Sequence, residues 1–236
     1  MNETHEHIVK QYDSELHRLT GEILRMGELA INQLSAAMDV LERRDSEGAT
    51  RVIASDAAID ALEHEVSHDV IRLLALRQPM ARDLREILAS LRIASDIERI
   101  GDYAANAAKR SIVLNQAPAI PAVAALAALN RIAIDMLREV LIAYRDRDDV
   151  RAMIVRARDA ELDALYTGLF RELLTYMAED PRSISSAIHV MFIAKNLERV
   201  GDHATNIAEN IWFIVHGATL IDEREKRDYT STTVQP

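Results

Sequence analysis

Apolar residues recur along the chain at mixed spacings of three and four, the spacing that places them on one face of an α-helix. The pattern predicts a first helix over residues 4–44 and a second over residues 46–77. Four further helices are predicted over residues 80–114, 122–145, 148–177 and 182–216. No stretch reads convincingly as a strand. The predicted fold class is therefore all-α, with six long helices.

Short segments rich in helix-breaking residues separate the predicted helices. Asp45 forms a cap-like break, and Pro79 and Pro181 fall at later junctions. The segment A-P-A-I-P at residues 117–121 cannot continue a helix and divides the chain. Long helices joined by short turns pack antiparallel, so each half should be an up-down three-helix bundle. We expect a first three-helix repeat, a linker, a second three-helix repeat and a polar C-terminal tail, at residues 1–116, 117–121, 122–216 and 217–236.

An internal repeat relates the two halves of the chain. Residues 96–109 read D-I-E-R-I-G-D-Y-A-A-N-A-A-K, and residues 196–209 read N-L-E-R-V-G-D-H-A-T-N-I-A-E. Seven residues recur one hundred positions later: Glu98, Arg99, Gly101, Asp102, Ala104, Asn106 and Ala108. The second helices align at an offset of 103, which pairs Asp56 with Asp159 and Asp60 with Asp163. The two halves should therefore be pseudo-symmetric.

Acidic residues occur four positions apart in the second and third helix of each half. Glu98 and Asp102 lie beside the apolar stripe of their helix, and Asp56 and Asp60 lie in and beside theirs. Like charges at this spacing repel by roughly 0.2–0.5 kcal/mol even in water, so helix stability alone does not favour them. Neighbouring antiparallel helices can bring the pairs face to face. We expect two clusters of four carboxylates, Asp56, Asp60, Glu98 and Asp102 in the first half and Asp159, Asp163, Glu198 and Asp202 in the second.

Four carboxylates in one patch require protonation or a bound cation to offset their repulsion. Oxygen ligands and bridging carboxylates suit magnesium, manganese, calcium or iron, and they are compatible with two or more ions per cluster. The alternative is a pair of solvated acidic faces that Arg99, Arg199 and Lys109 neutralise, with Arg99 turned back onto Asp102. The sequence leaves both hypotheses open.

The charge balance narrows the classes of partner. The chain has 236 residues and a formal net charge of −10 at pH 7, which disfavours nucleic acid and anionic membrane surfaces. It contains no cysteine, so a metal would be bound by oxygen or imidazole. No apolar run approaches the roughly 18 residues of a spanning helix, and no signal-peptide core opens the chain. We expect a soluble, cytoplasmic protein that reaches a membrane only through partners.

One short motif resembles an enzyme signature, but its position on the helix argues against a catalytic site. Residues 64–68 read H-E-V-S-H, which matches the zinc-protease pattern. His64 and His68 point nearly opposite the apolar stripe of their helix, so we expect both to face solvent. No phosphate-binding loop and no catalytic Ser/His/Asp grouping can be placed, and catalysis is not expected. The alternative functions are a structural helical module without metal and a metal-dependent phosphohydrolase.

Three separated signatures occur in order along the chain. They are M-N-E-T-H-E-H-I-V-K-Q-Y-D-S-E-L at residues 1–16, R-Q-P-M-A-R-D-L-R at residues 77–85, and the paired E-R-[IV]-G-D repeats. Together they resemble the PhoU family of phosphate-specific transport system accessory and regulatory proteins. The resemblance implies multinuclear metal clusters on the acidic motifs, formed by iron, manganese, magnesium, zinc or calcium. Glu63, Asn106 and Asn206 are additional candidate ligands, and Tyr166 stands at the position of Glu63 in the second half.

The same resemblance implies signalling rather than catalysis. It places the protein between a phosphate ABC transporter and a membrane sensor kinase, where it represses the phosphate-starvation response. The implied partners are the transporter's ATPase subunit and the sensor histidine kinase. The sequence leaves open the identity and number of the metal ions, the choice between monomer and homodimer, and whether phosphate is sensed directly.

Overall fold

The computed structural model describes residues 2–221, with side chains described for residues 14–221 except residue 77. This part of the chain forms seven α-helices and a short 3-10 helix. They are α1 (Asn2–Arg43), α2 (Ser46–Ser55), α3 (Ala57–Arg77), α4 (Ala81–Leu114), α5 (Val123–Asp146), α6 (Asp149–Glu179), the 3-10 helix (Pro181–Ser183) and α7 (Ile184–His216). Residues 2–221 contain no strand, which confirms the all-α fold class. The predicted tail beyond residue 221 lies outside the described residues.

The second predicted helix, over residues 46–77, is divided at Asp56 into α2 and α3. Asp56 itself has helical dihedral angles, with φ −56° and ψ −39°. Its N–H donates to the carbonyl of Ile53, three residues earlier, at 3.4 Å. This tighter, 3-10-type bond interrupts the α-helical ladder for one residue. The prediction of one continuous helix is therefore corrected to two segments that meet at a predicted cluster residue.

The turns before α2 and α6 have the same construction. Asp45 accepts a hydrogen bond from the Gly48 N–H at 2.8 Å, and Asp148 accepts one from the Arg151 N–H at 2.9 Å. Each aspartate thereby satisfies one N–H group that a helix leaves open at its start. The residue before each aspartate has a left-handed φ, 55° in the first turn and 54° in the second. Residues that are 103 positions apart in the sequence therefore have the same backbone conformation in these two turns.

A single hydrophobic core runs through both halves. In the first half α4 packs against α1, α2 and α3, and in the second α7 packs against α5 and α6. The halves are joined because α4 also packs against α7 and α1 against α5. Tyr144 on α5 shows this closeness, since its buried hydroxyl lies 3.0 Å from the Ser90 hydroxyl on α4. Burial raises the pKa of Tyr144 to about 12.

The helices bury apolar residues in the core, and α6 and α7 also carry large apolar side chains on their exposed faces. Within residues 2–221, no helix combines the length and the apolar content that crossing a bilayer would require.

Removing the cap at the start of α2 or α6 should lower the stability of the fold. Asp45→Ala or Asp148→Ala deprives a helix N–H of its acceptor, and each should reduce the free energy of unfolding by about 1 kcal/mol. Urea denaturation followed by circular dichroism measures the change. Asp39→Ala, on the exposed face of α1, is the matched control and should change stability by no more than about 0.5 kcal/mol. Equal stability of the cap variants and the control would show that the caps contribute nothing.

Candidate functional site

At Gly101, α4 lies close against the α2–α3 junction. A Cβ atom at Gly101 would lie 3.0 Å from Asp56 Oδ1 and 2.8 Å from Ile59 Cδ1. A larger residue would displace one of these two side chains. Gly101 stands between Glu98 and Asp102 on α4. The glycine therefore allows the carboxylate of one helix to reach the acidic pair of its neighbour.

The second half has the same arrangement around Gly201. A Cβ atom there would lie 2.8 Å from Asp159 Oδ1 on α6. Glu198 and Asp202 stand on either side of this glycine on α7. The sequence analysis assigned no role to these two repeated glycines. A glycine inside a long helix lowers helix stability by about 1 kcal/mol, so its presence in both repeats could have indicated a close approach by a neighbouring helix.

The four carboxylates of the first cluster act on one another electrostatically. Burial raises the pKa of Asp56, and the nearby charges of Asp60 and Asp102 raise it further. The Gln33 amide opposes this shift, because its Nε2 donates to Asp56 Oδ1 at 3.1 Å. Burial and the Asp102 charge also raise the pKa of Glu98. The cluster therefore disfavours the full ionisation of its own members.

The first cluster would have to rearrange its side chains to hold an ion. Among the side chains that the structure describes, no three acidic or histidine groups are placed to ligate one ion as they stand. Asp60 is exposed, and Glu98 and Asp102 are half-buried, so these side chains have room to turn toward a common point. Their role as metal ligands stays a prediction.

Arg99 supplies positive charge to the first cluster. Its guanidinium lies 3.5 Å from Glu98 Oε2 and 3.4 Å from Asp102 Oδ2. The alternative hypothesis, in which basic residues neutralise solvated acidic faces, includes this contact between Arg99 and Asp102. The Arg99 side chain is 57% exposed, and ion pairs this exposed contribute only about 0–1 kcal/mol. Its counterpart Arg199 lies instead over the Tyr103 ring, 5.9 Å from the centroid.

The second cluster is more deeply buried and includes a lysine. Asp159, Asp163 and Glu198 are all buried. Lys195 Nζ lies 2.8 Å from Glu198 Oε1 and 4.9 Å from the centroid of the Tyr166 ring. The Glu198 side chain of this ion pair is buried, whereas the Lys195 side chain is 32% exposed. The two clusters are thus alike in their carboxylates but differ in how their charge is balanced.

The three additional candidate ligands have different surroundings. Glu63 accepts a hydrogen bond from the Ser67 hydroxyl at 2.8 Å. Asn106 is half-buried on α4. Asn206 is exposed, and its amide donates to Asp96 Oδ1 at 3.2 Å across the α4–α7 interface. Asn206 is therefore directed toward the other half of the molecule rather than along the acidic row of α7.

The H-E-x-x-H motif faces solvent, which confirms the prediction from its helical position. His64 and His68 are both exposed on α3. His64 Nδ1 donates to the Asp60 carbonyl at 2.8 Å, which ties the ring to its own helix.

Sequence reasoning did not anticipate a polar cluster across the α4–α7 interface. His203 Nδ1 lies 2.7 Å from Asp96 Oδ1, and its Nε2 lies 3.3 Å from the Tyr103 hydroxyl. Tyr103 and His203 occupy equivalent positions of the repeat, so equivalent residues of the two halves meet in this interface. The aligned repeats show that tyrosine and histidine differ at this position, but only the packing of α4 on α7 shows that Tyr103 and His203 are in contact.

Replacing the carboxylates of raised pKa by amides should stabilise the metal-free protein. The double variant Asp56→Asn with Glu98→Gln removes two charges but keeps an acceptor for Gln33. It should gain about 0.5–1 kcal/mol at pH 7 in EDTA, because like charges no longer repel. The folded wild type binds these protons at higher pH than the unfolded chain does, so the wild type gains stability as pH falls toward about 4. The gap between the two proteins in urea titrations should therefore narrow from pH 7 to pH 5.

Asp135→Asn is the matched control for this experiment. Asp135 lies on α5, outside both clusters, in an ion pair with Arg138 at 3.3 Å. Its amide variant should not be stabilised at either pH. A cluster variant less stable than the wild type at pH 7 would show that repulsion within the first cluster is unimportant.

One family model matches the chain twice. The PhoU domain matches residues 23–111 and, separately, residues 126–211. The first match contains the E-R-I-G-D motif of α4, and the second contains the E-R-V-G-D motif of α7. The two matches correspond to the two halves of the chain.

Curated relatives match the chain over nearly its whole length. A phosphate-specific transport system accessory protein PhoU homolog from Xylella fastidiosa (strain 9a5c) is 61% identical over 225 residues, which cover 95% of this chain and 95% of that protein. A protein of the same name from Rhizobium meliloti (strain 1021) is 47% identical over 231 residues, which cover 97% of each chain.

Two crystal structures have the same fold. PhoU from Pseudomonas aeruginosa superposes with a TM-score of 0.85 at 36% identity, covering 88% of this chain and 100% of that one. The phosphate transport system regulatory protein PhoU from Streptococcus pneumoniae superposes with a TM-score of 0.82 at 28% identity, covering 89% and 99%. Since the double domain match, the relatives and the solved structures agree, this chain belongs to the PhoU family.

Proposed function

We propose that this protein is a cytoplasmic, non-catalytic adaptor that binds metal and represses phosphate uptake and phosphate-starvation signalling. It acts by docking on the ATPase subunit of a phosphate ABC transporter and on a membrane sensor histidine kinase. The observation that carries the proposal is the 61% identity, over 95% of both chains, to a relative named as an accessory protein of phosphate-specific transport. An accessory protein works through contacts with its transport system, so docking is the activity to test.

Metal binding is the part of the proposal that the acidic clusters support. Carboxylate oxygens of this number suit iron, manganese, magnesium or calcium. A bound cation supplies positive charge that offsets the repulsion between the carboxylates. The residues proposed to hold the ions are Asp56, Asp60, Glu98 and Asp102, with Asp159, Asp163, Glu198 and Asp202 as the equivalent set. Because each set spans neighbouring helices, the bound ion joins those helices at the level of Gly101 or Gly201.

Removing metal should lower the melting temperature of protein purified without chelator. An ion present at a hundred times its Kd stabilises the folded state by about 2.7 kcal/mol, which corresponds to roughly 5–10 °C in a chain of this size. Melting with and without EDTA, alongside elemental analysis, measures the effect. The double variant Asp102→Ala with Asp202→Ala should contain less metal and should no longer respond to EDTA. Asp135→Ala should respond as the wild type does.

Identical melting in EDTA, together with no bound metal in the wild type, would contradict this part of the proposal. That result would favour the alternative of a structural helical module whose carboxylates face water.

An exposed apolar stripe on α7 is the surface we propose for docking. Ile184, Ile188 and Phe192 follow one another at intervals of four and are 40–48% exposed. This spacing places them on one face of the helix. Large apolar side chains grouped on a surface are typical of protein–protein contacts. Arg110 on α4 lies 4.1 Å from the centroid of the Phe192 ring and borders the stripe with positive charge.

Capture of partners from cells grown with abundant phosphate tests the docking proposal. Tagged wild-type protein should retain a phosphate-transporter ATPase or a sensor histidine kinase, identified by mass spectrometry. Ile188→Asp with Phe192→Asp should reduce capture about tenfold or more, because losing a buried apolar anchor costs about 2 kcal/mol or more at an interface.

Val150→Asp with Ile154→Asp is the matched control. These two apolar residues are also four positions apart, and they are 68% and 59% exposed on α6. This pair should leave capture unchanged. Undiminished capture by the α7 variant would remove the stripe from the proposal, and absence of both partners from the wild-type sample would remove docking itself.

A further inference from the structure

Two stretches of this acidic chain contain no acidic residue, although aspartate and glutamate number 38 of its 236 residues. One covers residues 103–134 and includes the end of α4, and the other covers residues 181–197 and includes the start of α7. Arg110 on α4 lies over the Phe192 ring on α7, so the two stretches meet in space. A protein with a net charge of −10 therefore has, beside the apolar stripe of α7, a surface to which neither helix contributes a carboxylate.

Arg110 is the cation that borders the apolar stripe, and an aromatic ring holds it in position. The centre of its guanidinium lies 4.1 Å from the centroid of the Phe192 ring. Guanidinium groups stack on aromatic faces, and the N–H groups at their edge stay available for hydrogen bonds. Phe192 is 48% exposed, so the stacked pair lies at the surface of the protein rather than in its core.

Arg110 is partly desolvated and has no carboxylate partner among the residues that the structure describes. Its Nη1 lies 3.4 Å from Nδ1 of His189 on α7. Burial lowers the pKa of Arg110, and no nearby carboxylate opposes this shift. Burial, and then the Arg110 charge, lower the pKa of His189, so its ring is neutral at pH 7 and accepts this hydrogen bond. Arg110 has therefore lost part of its hydration without gaining an ion pair.

Arg92, at the other end of the α4–α7 interface, has a similar position but acidic neighbours. It also lies over a phenylalanine ring of α7, 5.9 Å from the centroid. Asp96 and Glu209 line the same groove as Arg92. In the other repeat the equivalent positions are occupied by Asn196 and Lys109. The Arg110 end of the interface thus has an amide and a cation where the Arg92 end has two carboxylates.

A stacked, partly desolvated arginine beside an apolar stripe is a site that a carboxylate with apolar neighbours completes. We propose that this surface recognises a segment of a partner protein that carries an aspartate or glutamate next to apolar side chains. The carboxylate pairs with the Arg110 guanidinium, and the apolar side chains cover Ile184, Ile188 and Phe192. The rest of this acidic chain repels such a segment, which directs it to the acid-free surface. This inference rests on the docking surface proposed above and adds the chemistry of the partner.

An anionic membrane is the competing ligand for a surface that is both basic and apolar, and the geometry favours a protein. Membrane surfaces attract clusters of several mobile lysines and arginines. Here a ring and a histidine hold the cation that borders the stripe in place. A guanidinium fixed in this way suits the planar fork of a single carboxylate. The net charge of −10 also opposes approach to an anionic bilayer.

Amide variants of the two stacked arginines test the assignment. The probe is the transporter ATPase or sensor kinase that the wild type retains, purified after its identification by mass spectrometry and titrated calorimetrically. Arg110→Gln should weaken its binding about tenfold or more, since a central arginine commonly carries much of the energy of an interface. Arg92→Gln is the matched control and should bind within about twofold of the wild type. Added salt should weaken wild-type binding more than that of Arg110→Gln. Thermal melting checks that both variants are folded.

Carbodiimide cross-linking identifies the group that pairs with position 110. The reagent joins an amine to a carboxylate that it contacts, and Arg110→Lys supplies an amine at this position. Mass spectrometry should find position 110 of this variant joined to an aspartate or glutamate of the partner. Apolar residues should occur within about one helical turn of that acid. Arg92→Lys should give no such product.

The outcomes separate this inference from the docking on which it rests. Loss of binding in Ile188→Asp with Phe192→Asp, but not in Arg110→Gln, would overturn the inference and leave the docking surface intact. Cross-links from position 110 to a second copy of this chain, with a dimer in analytical ultracentrifugation that Arg110→Glu abolishes, would also overturn it. So would co-sedimentation of the wild type, but not of Arg110→Gln, with phosphatidylglycerol vesicles. A wild-type protein that retains neither partner would overturn docking and this inference together.

Discussion

The close approach of carboxylates to the backbone of α4 and α7 is the constraint on which this structure depends. At Gly101 and Gly201 the helix surface has no side chain, and an aspartate from the neighbouring helix lies against it. Like charges are thereby gathered where burial disfavours ionisation, which raises the pKa of Asp56 and Glu98. In the first half, two polar groups lie next to this unfavourable charge. Arg99 lies on its exposed side, while Gln33 reaches it from the core.

The helices that carry the acidic motifs are also the helices that join the two halves. α4 packs against α7 along the centre of the molecule, and the contact between Asp96 and His203 lies in the same interface. A cation bound between α3 and α4 therefore acts on a helix that contacts the other repeat. Arg110 of α4 lies over Phe192 at the apolar stripe of α7. Residues of α4 thus border both the proposed cation site and the proposed docking surface.

The internal duplication preserved a backbone plan while the charge balance of each copy changed. The capped turns before α2 and α6 have matching hydrogen bonds, and both glycines have an aspartate oxygen close by. Around these shared features, Ser95 is exchanged for Lys195 and Glu63 for Tyr166. The exchange at Tyr166 lies in the core, where a buried ring replaces the half-buried carboxylate of Glu63. These exchanges change which charged side chains lie near each acidic cluster.

The sequence by itself determined the all-α class, the internal repeat and every helix break except the one at Asp56, because periodicity, prolines and motif spacing are local properties of the chain. For the first half it also indicated which carboxylates would act on one another, since adjacent helices of a three-helix bundle have few ways to pack. Only the tertiary structure decided the break at Asp56, the pairing of Lys195 with Glu198, and the hydrogen bond from Gln33 to Asp56. These features depend on how far each helix is rotated and how closely it approaches its neighbour. Spacing along one helix does not specify either quantity, because both are set by the side chains of two helices packed together.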